Sequence, residues 1–335
     1  MVGRMEVARR AGVSPAVVSY VTNGSHAVSA ATRVRVEAAI EELGYRPNAI
    51  ARSLARSRTF TLGLLVPDSS NPYFAELSSL IEDGAYAAGY NVLLGNGADS
   101  SEREVSYIRT FIDHKVDAVI VCPSFDFSQG FDELEKMKIP SVSTDRIWSQ
   151  SNIPAVVVDN EGGAHLAAEH LISHNRTNFA CISGDDTRSL SHNRTTGWKQ
   201  AIQQVGIQVE GNHILHEDFT LTGGWRATMA LLEQDPGVDA LFVASDIQAL
   251  GAIRAIVDSG RVPGKDISLI GFDGIELGAY LNPRLTTVTQ PLAQIADTIL
   301  KLVIALIETP DAEHAGSQVL PTTLEIRESC GCTPH

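Results

Sequence analysis

Ala11-Gly12-Val13-Ser14-Pro15-Ala16-Val17-Val18-Ser19-Tyr20-Val21-Thr22-Asn23-Gly24 carries the local instructions for a turn followed by a short helix. Gly12 permits the tight turn. Ser14 can accept a hydrogen bond from the first free backbone amides, and Pro15 presets the backbone angle at the first helical position. Along residues 15–23, Val18 and Val21 fall on one side. Ala16, Ser19, Tyr20 and Asn23 fall on the other at helical spacing, and Gly24 is a good stop. Working outward, a short helix is predicted over 5–11 before the turn. After it, Ser29 caps a third helix in which Val36, Ala39, Ile40 and Leu43 form an i, i+3, i+4, i+7 stripe, ended by Gly44 and Pro47. Three short helices, the middle one behind a glycine turn, make a helix-turn-helix unit, although a unit of this size can also serve only for packing.

Charge separates these readings. The chain of 335 residues has a net charge of −14, which at first argues against nucleic acid. Residues 1–58, however, hold nine Arg and no Lys against four Glu, a local charge of +5 that leaves −19 for the remainder. A basic head on an acidic body can grip phosphates while the body stays off them. With 44 % apolar and 20 % charged residues the composition is that of a soluble globular protein, and the length suits two or three domains. No apolar run is long enough to cross a bilayer, and the N-terminus lacks the apolar core of a signal peptide, so a cytoplasmic protein without membrane contact is expected.

Residues 47–58, PNAIARSLARSR, contain helix formers but only Ile50 and Leu54 as apolar anchors. Such a segment is marginal as an isolated helix and is expected to order only against a partner. Val7-Ala8, Ala11-Gly12-Val13-Ser14, Val18-Ser19, Asn23-Gly24, Val28-Ser29, Thr32-Arg33, Ala39-Ile40-Glu41-Glu42-Leu43-Gly44-Tyr45 and Arg46-Pro47-Asn48 closely resemble the lactose/galactose-repressor (LacI/GalR) family, and the similarity runs through nearly the whole chain. The resemblance implies a DNA-binding transcriptional regulator, a repressor, whose second helix reads the major groove. It implies that the linker becomes a hinge helix in the minor groove, where Leu54 matches an intercalating Leu and Ala51 lies beside it. A wedge of this kind kinks the duplex, at a cost offset by wider contact. The DNA-facing residues expected are Pro15, Ala16, Ser19, Tyr20, Asn23, Ala51 and Leu54. Tyr20 stands where many members carry Arg, the commonest reader of guanine, and Pro15 and Ala16 offer only apolar contact.

From Thr61 the pattern changes to apolar β-like runs alternating with helical segments. Strands are predicted at 61–67, 91–95, 118–122, 141–144, 156–159, 179–183, 240–244, 267–272 and 286–288, with a last one near 324–326. Alternating βα units imply parallel sheets covered on both faces, and this many strands imply two lobes divided near Val156. The expected fold is therefore an all-α head of residues 1–47, a linker of 48–58, and a periplasmic-binding-protein-like α/β body of 59–335 with doubly wound parallel sheets. The resemblance places 59–156 and 287–315 in the first lobe and 157–286 and 316–330 in the second.

Ligands of open parallel sheets bind beyond the C-terminal strand ends. Those ends carry Asp68, Asp145, Asp159, Ser245-Asp246 and Asp273, which suit a ligand rich in hydroxyl or amino donors, or simply cap the following helices. The resemblance implies that Tyr73 and Phe74 wall the effector cleft, although Phe74 also fits a core stripe with Leu77 and Ile81. It implies that Arg194 reaches the ligand, that Phe219 stacks on it and that Asp273 accepts its hydroxyls. Ser245 stands where Asn is frequent, and Gly274 where a second Asp is frequent. The effector set is thus Tyr73, Phe74, Asp145, Arg194, Phe219, Ser245 and Asp273, for a sugar or related polyol. An Arg and a carboxylate from different turns would clamp vicinal hydroxyls.

The remaining reactive residues suggest no chemistry. Cys122 and Cys181 sit in apolar runs as buried thiols. Cys330 and Cys332 lie in a polar tail with no second pair to complete a metal site, and are expected to be a flexible reduced tail. His165, His170 and His174 share a helical segment without a following carboxylate and are expected on a solvated face, so no metal is implied. No phosphate loop or nucleophile elbow is present, so neither catalysis nor a cofactor is expected. The rival class, an exported sugar-binding protein for transport or chemosensing, would need a signal peptide and would leave the basic head unexplained. Few strong readers in one head imply a homodimer on a near-palindromic operator.

Overall fold

The computed structural model describes residues 2–23, 26–45, 58–123, 127–147, 153–310, 312 and 316–333. It divides into two units, Met1–Phe60 and Thr61–His335. In the first, α1 (Arg4–Ala11), α2 (Pro15–Asn23) and α3 (Ala30–Leu43) pack around Val7, Ala8, Ala11, Val18, Val21, Val36 and Ala39. Gly12 ends α1 in the left-handed conformation, φ 65°, where a side chain would be strained. Ser14 receives the Val17 amide, and Ser29 Oγ accepts from the Thr32 amide at 3.3 Å, so both expected caps form. Gly44, φ 58°, closes α3 while the Tyr45 amide returns to the Ile40 carbonyl at 3.0 Å.

The second unit begins with β1 (Thr61–Val66), α4 (Pro72–Ala87), β2 (Asn91–Asn96), α5 (Ser101–Asp113), β3 (Ala118–Val121), α6 (Ser128–Lys136), β4 (Ser141–Thr144) and β5 (Ala155–Val158). It continues through α7 (Asn160–Ser173), β6 (Phe179–Ser183), α8 (Ser189–Gln204), β7 (Ile214–His216), α9 (Leu221–Gln234), β8 (Ala240–Val243), α10 (Asp246–Asp258), β9 (Ser268–Asp273) and β10 (Thr286–Thr289). The chain then returns through α11 (Leu292–Glu308), β11 (Gln318–Leu320) and β12 (Thr323–Glu325). The first sheet has the order β11-β5-β4-β3-β1-β2 and is parallel throughout. The second has the order β12-β10-β9-β8-β6-β7, parallel except for β12 against β10. The central strands β3, β5, β6 and β8 are buried along their whole length, as sheets covered by helices on both faces require.

The lobe assignments need correction at the crossings. β5 runs to Val158 in the first sheet, so the division follows Val158 rather than Val156. Thr286–Thr289 pairs with β9 and belongs to the second sheet, whereas 287–315 was expected in the first lobe. Gln318–Leu320 pairs with β5 and belongs to the first, whereas 316–330 was expected in the second. β7 and β11 were not anticipated at all: each has three residues, flanked by polar ones, too short for a period-2 signal. The tail also differs. Cys330 is fully buried, and His170 and His174 lie against it and Cys332 rather than on a solvated face. Among the described residues no helix is long and apolar enough to cross a membrane.

Candidate functional site

Both sheets of the body change direction of winding at an inner strand, β1 in the first and β6 in the second, and such switch points open a crevice beyond the strand ends. A cleft of about 670 Å³ lies there. Its walls include Tyr73, Phe74 and Asp145 from the first lobe and Arg194, Phe219, Ser245 and Asp273 from the second, so the body residues expected at the site do come together.

The charged centre is Arg194, buried at 3 % exposure one and a half turns into α8. Its Nε donates to Asn160 Oδ1 at 2.7 Å, and Nη1 donates to the Ala244 carbonyl at 2.6 Å and to Asp273 Oδ1 at 3.3 Å. The guanidinium lies 3.8 Å from the centroid of Phe272, a cation–π contact. Its Nη2 donors have no protein partner among the described residues. Asp273, at the end of β9, also accepts from Gln290 Nε2 at 2.9 Å. It holds φ 126°, a strained value for any residue with a side chain and one that collects at functional sites. Burial pushes its carboxyl well above the ordinary carboxylate range. The Arg194 guanidinium opposes that shift, and Asp246 and Asp145 add to it.

Gln290 was not expected from sequence. It sits where the chain crosses from β10 to α11, and its Oε1 accepts from Tyr73 Oη at 2.9 Å. Tyr73 OH, Gln290 and Asp273 therefore form one relay from the first lobe to the second, the phenol donating to the amide oxygen and the amide nitrogen to the carboxylate. Burial, together with the Asp145 and Asp273 carboxylates, raises the Tyr73 phenol well above its usual value, which keeps it a donor. Arg188 and Asp99 form a second link between lobes, at 3.5 Å on the cleft wall. Neither residue was singled out from sequence, because one sits on a loop and the other at a helix start, without periodic signal.

The strand-end carboxylates divide by environment. Asp145 lines the cleft, its carboxyl raised by burial against the opposing pull of Arg194, Arg146 and Arg188. Asp159 caps α7 through the Gly162 amide at 2.8 Å, and Asp68 makes a turn with the Ser70 amide at 2.9 Å while its residue borders the cleft. Asp246 is entirely structural: its oxygens accept from the Gly274 and Ile275 amides at 2.8 and 2.9 Å and from Thr287 Oγ1 at 2.6 Å. Gly271 is needed because a Cβ there would strike Asp246 Oδ1. Ser245 caps α10 through the Gln248 amide at 3.3 Å as well as facing the cleft. The core stripe of α4 is Tyr73, Leu77, Ile81 and Ala85, so Phe74 faces the cleft and not the core. Phe219 is half-buried against Gly184, where a Cβ would lie 2.5 Å from its ring.

On the head, α2 turns Val18 and Val21 inward and leaves Ala16 exposed, with Pro15, Ser19 and Tyr20 half-buried. Ser19 Oγ accepts from Arg4 Nη1 at 2.7 Å and donates to the Pro15 carbonyl at 3.2 Å. The Tyr20 ring lies 4.2 Å from that of His26. Asn23 is the last residue of α2. Ala51 and Leu54 lie outside the described residues.

Comparison with known proteins follows the same division. The family model described as bacterial regulatory proteins of the lacI family matches residues 5–48. The model described as periplasmic binding proteins and the sugar-binding domain of the LacI family matches residues 59–320. The chain is 36 % identical over 325 residues to "Catabolite control protein A" of Priestia megaterium, covering 97 % of this chain and 98 % of that protein. It is 37 % identical over 324 residues to "Ribose operon repressor" of Halalkalibacterium halodurans, covering 97 % and 96 %. The solved structure of the Lac repressor dimer bound to operator and the anti-inducer ONPF matches with a TM-score of 0.87 at 28 % identity, over 98 % of this chain and 99 % of that one.

Proposed function

The chain belongs to the LacI family of bacterial regulatory proteins, and from that premise we propose that it represses transcription as a homodimer on a near-palindromic operator, with a small polyhydroxylated ligand in the body cleft setting its affinity for DNA. One observation carries the ligand class: an Arg194–Asp273 pair, joined by Gln290 to Tyr73, faces Asp145 and Phe74 across the cleft. Carboxylates that accept, a guanidinium that donates and aromatic walls that cover apolar ring faces are the recognition set of a sugar or polyol. The ligand would exchange hydrogen bonds with the Tyr73–Gln290–Asp273 relay. Because that relay and the Arg188–Asp99 pair both join the lobes, occupancy and lobe angle are coupled, as in hinge closure around a ligand. DNA reading is assigned to α2 with Pro15, Ala16, Ser19, Tyr20 and Asn23, and to the linker with Ala51 and Leu54. Work on an operator places the protein in the cytoplasm.

The exported sugar-binding alternative has the same kind of cleft but no use for residues 5–48, which match a DNA-binding family. The test is a melting-temperature screen of the full chain against pentoses, hexoses, disaccharides, polyols and nucleosides, followed by operator titration with each hit. A ligand at about 100 times its Kd stabilises the folded state by about 2.7 kcal/mol. The reading holds if a polyhydroxylated ring raises the melting temperature and changes operator affinity. A stabilising ligand without hydroxyls or amines, or one with no effect on DNA binding, overturns it.

A further inference from the structure

The C-terminal tail is built into the second lobe. Ser329 receives the Thr286 amide on its Oγ at 2.8 Å and donates to the Leu269 carbonyl at 2.7 Å, while the Leu269 amide returns to Ser329 at 2.7 Å. The Cys330 carbonyl accepts from Ser268 Oγ at 2.6 Å. Gly331 then turns the chain at φ 99°, with the Gly264 carbonyl 2.6 Å from where a Cβ would stand, so only glycine fits between the two cysteines. That turn brings both thiols to the same place. From the other side α7 presents His170 and His174, one turn apart on one helix face.

We propose that His170, His174, Cys330 and Cys332 bind a structural zinc ion that fastens the C-terminal tail to α7. The Nε2 atoms of the two histidines lie 3.2 Å apart. His170 Nε2 is 3.4 Å from Cys330 Sγ and 3.6 Å from Cys332 Sγ, and His174 Nε2 is 3.5 Å from Cys332 Sγ. All four ligand atoms lie within 4.8 Å of one another. Tetrahedral zinc with Zn–S of about 2.3 Å and Zn–N of about 2.0–2.1 Å requires about 3.4 Å between nitrogens and about 3.6 Å between nitrogen and sulfur. Four of the six spacings, at 3.2–3.6 Å, match that cage, and the His174–Cys330 and Cys330–Cys332 spacings, within 4.8 Å, need only a small closure around the ion.

Donor chemistry selects the ion. Two thiolates and two imidazoles without a carboxylate are a zinc set, and the thiolates cancel its charge, which suits a site beside buried Leu171 and Phe179. An outer shell is present as well. Thr286 Oγ1 lies 3.2 Å from Cys330 Sγ and accepts from the Arg327 amide at 2.9 Å, so its own proton is available to the sulfur. The site is remote from the cleft: Asn160, which holds Arg194, is ten residues back along α7, about 15 Å by helical rise. The ion therefore stabilises the lobe and does not contact the effector.

The experiment uses the untagged full chain, purified under reducing conditions, with metal measured by mass spectrometry. One zinc per chain is expected. Chelator should lower the melting temperature and added zinc restore it, and cobalt in its place should give the visible absorption of a tetrahedral thiolate site. Cys332→Ser and His174→Gln, both at partly exposed positions, should lose the metal and the chelator-sensitive part of the melt, whereas His165→Gln on the same helix should keep both. If either ligand variant fails to fold, the cobalt spectrum of the unaltered chain decides. Zinc-free protein indifferent to chelator and colourless with cobalt, a Cys330–Cys332 disulfide in its place, or undiminished metal in both ligand variants would overturn the assignment.

Discussion

Arg194 and Asp273 show how one site divides its residues between support and recognition. Arg194 is packed between Asn160, the Ala244 carbonyl and Phe272, so its loss leaves a buried carbonyl without its donor and the Asp273 carboxylate without its counter-charge. Arg194→Ala should destabilise the body by about 3 kcal/mol in urea unfolding, as removal of one partner from a buried pair does. Asp273→Asn keeps the shape and the contact with Arg194 through its carbonyl oxygen, and should abolish the ligand response while leaving operator binding unchanged in titrations. The same substitution has a signature in pH. Burial raises the folded pKa of Asp273 above the unfolded value, so in that window the folded body binds more protons than the unfolded chain. The stability it contributes is complete below the unfolded pKa, about 4, and is lost as pH rises through the folded one. Compared with the unaltered ligand-free chain, Asp273→Asn should therefore gain a few degrees of melting temperature as pH is raised above about 4, because it lacks the group whose contribution is lost there. Asp246, whose carboxyl burial also raises, keeps part of the slope. A variant with an unchanged slope would show that Asp273 is ionised throughout. Of this site, Arg194 and Asp273 were legible because motifs name them. Gln290, Arg188 and Asp99 were not, since their role arises only when the crossings bring distant segments together.

At the scale of elements, legibility followed the strength of the periodic signal. α2 and α3 were readable because caps, glycine stops and an apolar stripe agree, and β3, β6 and β8 because they are continuous apolar runs between turns. β7 and β11 were not, because three residues carry no period and edge strands need bury little. The tail illustrates the same limit: Cys330 and Cys332 have no ligand pair nearby in sequence, and α7 supplies one from 156 positions away. The linker 48–58 is the element whose function rests most on composition, with Ile50 and Leu54 its only branched apolar residues among three arginines. If it wedges between bases, Leu54→Ala should weaken specific operator binding by at least 10-fold, about 1.4 kcal/mol, with little change on nonspecific DNA. Equal losses on both, measured by fluorescence anisotropy, would reduce Leu54 to a packing residue.

For the whole molecule, the separation of charge fixes what one chain can do alone. The head carries nine arginines up to residue 58, but Arg10 is tied to Glu42 at 2.6 Å, and Arg4 is engaged with Ser19 on the proposed reading face. Pro15, Ala16 and Tyr20 bring no bidentate hydrogen-bonding partner for a base. A single head therefore holds DNA mainly through phosphates, a term that is salt-sensitive and blind to sequence. Two heads on a two-fold symmetric site double the base contacts while sharing one translational entropy loss, so specificity has to come from pairing. The surface for pairing is assigned to the body, where apolar contact has to offset the mutual repulsion of two chains carrying −19 each. A two-fold pair is the commonest closed symmetric assembly, so assembly should stop at two. Light scattering at micromolar concentration should give the mass of two 36.0 kDa chains. Operator affinity should fall with salt along a slope of about 0.9 per phosphate contact, and roughly twice as steeply for two heads as for a head bound singly. A stable monomer with full operator affinity, or a tetramer without DNA, would contradict the two-headed reading, because the first would require more base readers than α2 carries and the second a further interface beyond the two-fold one.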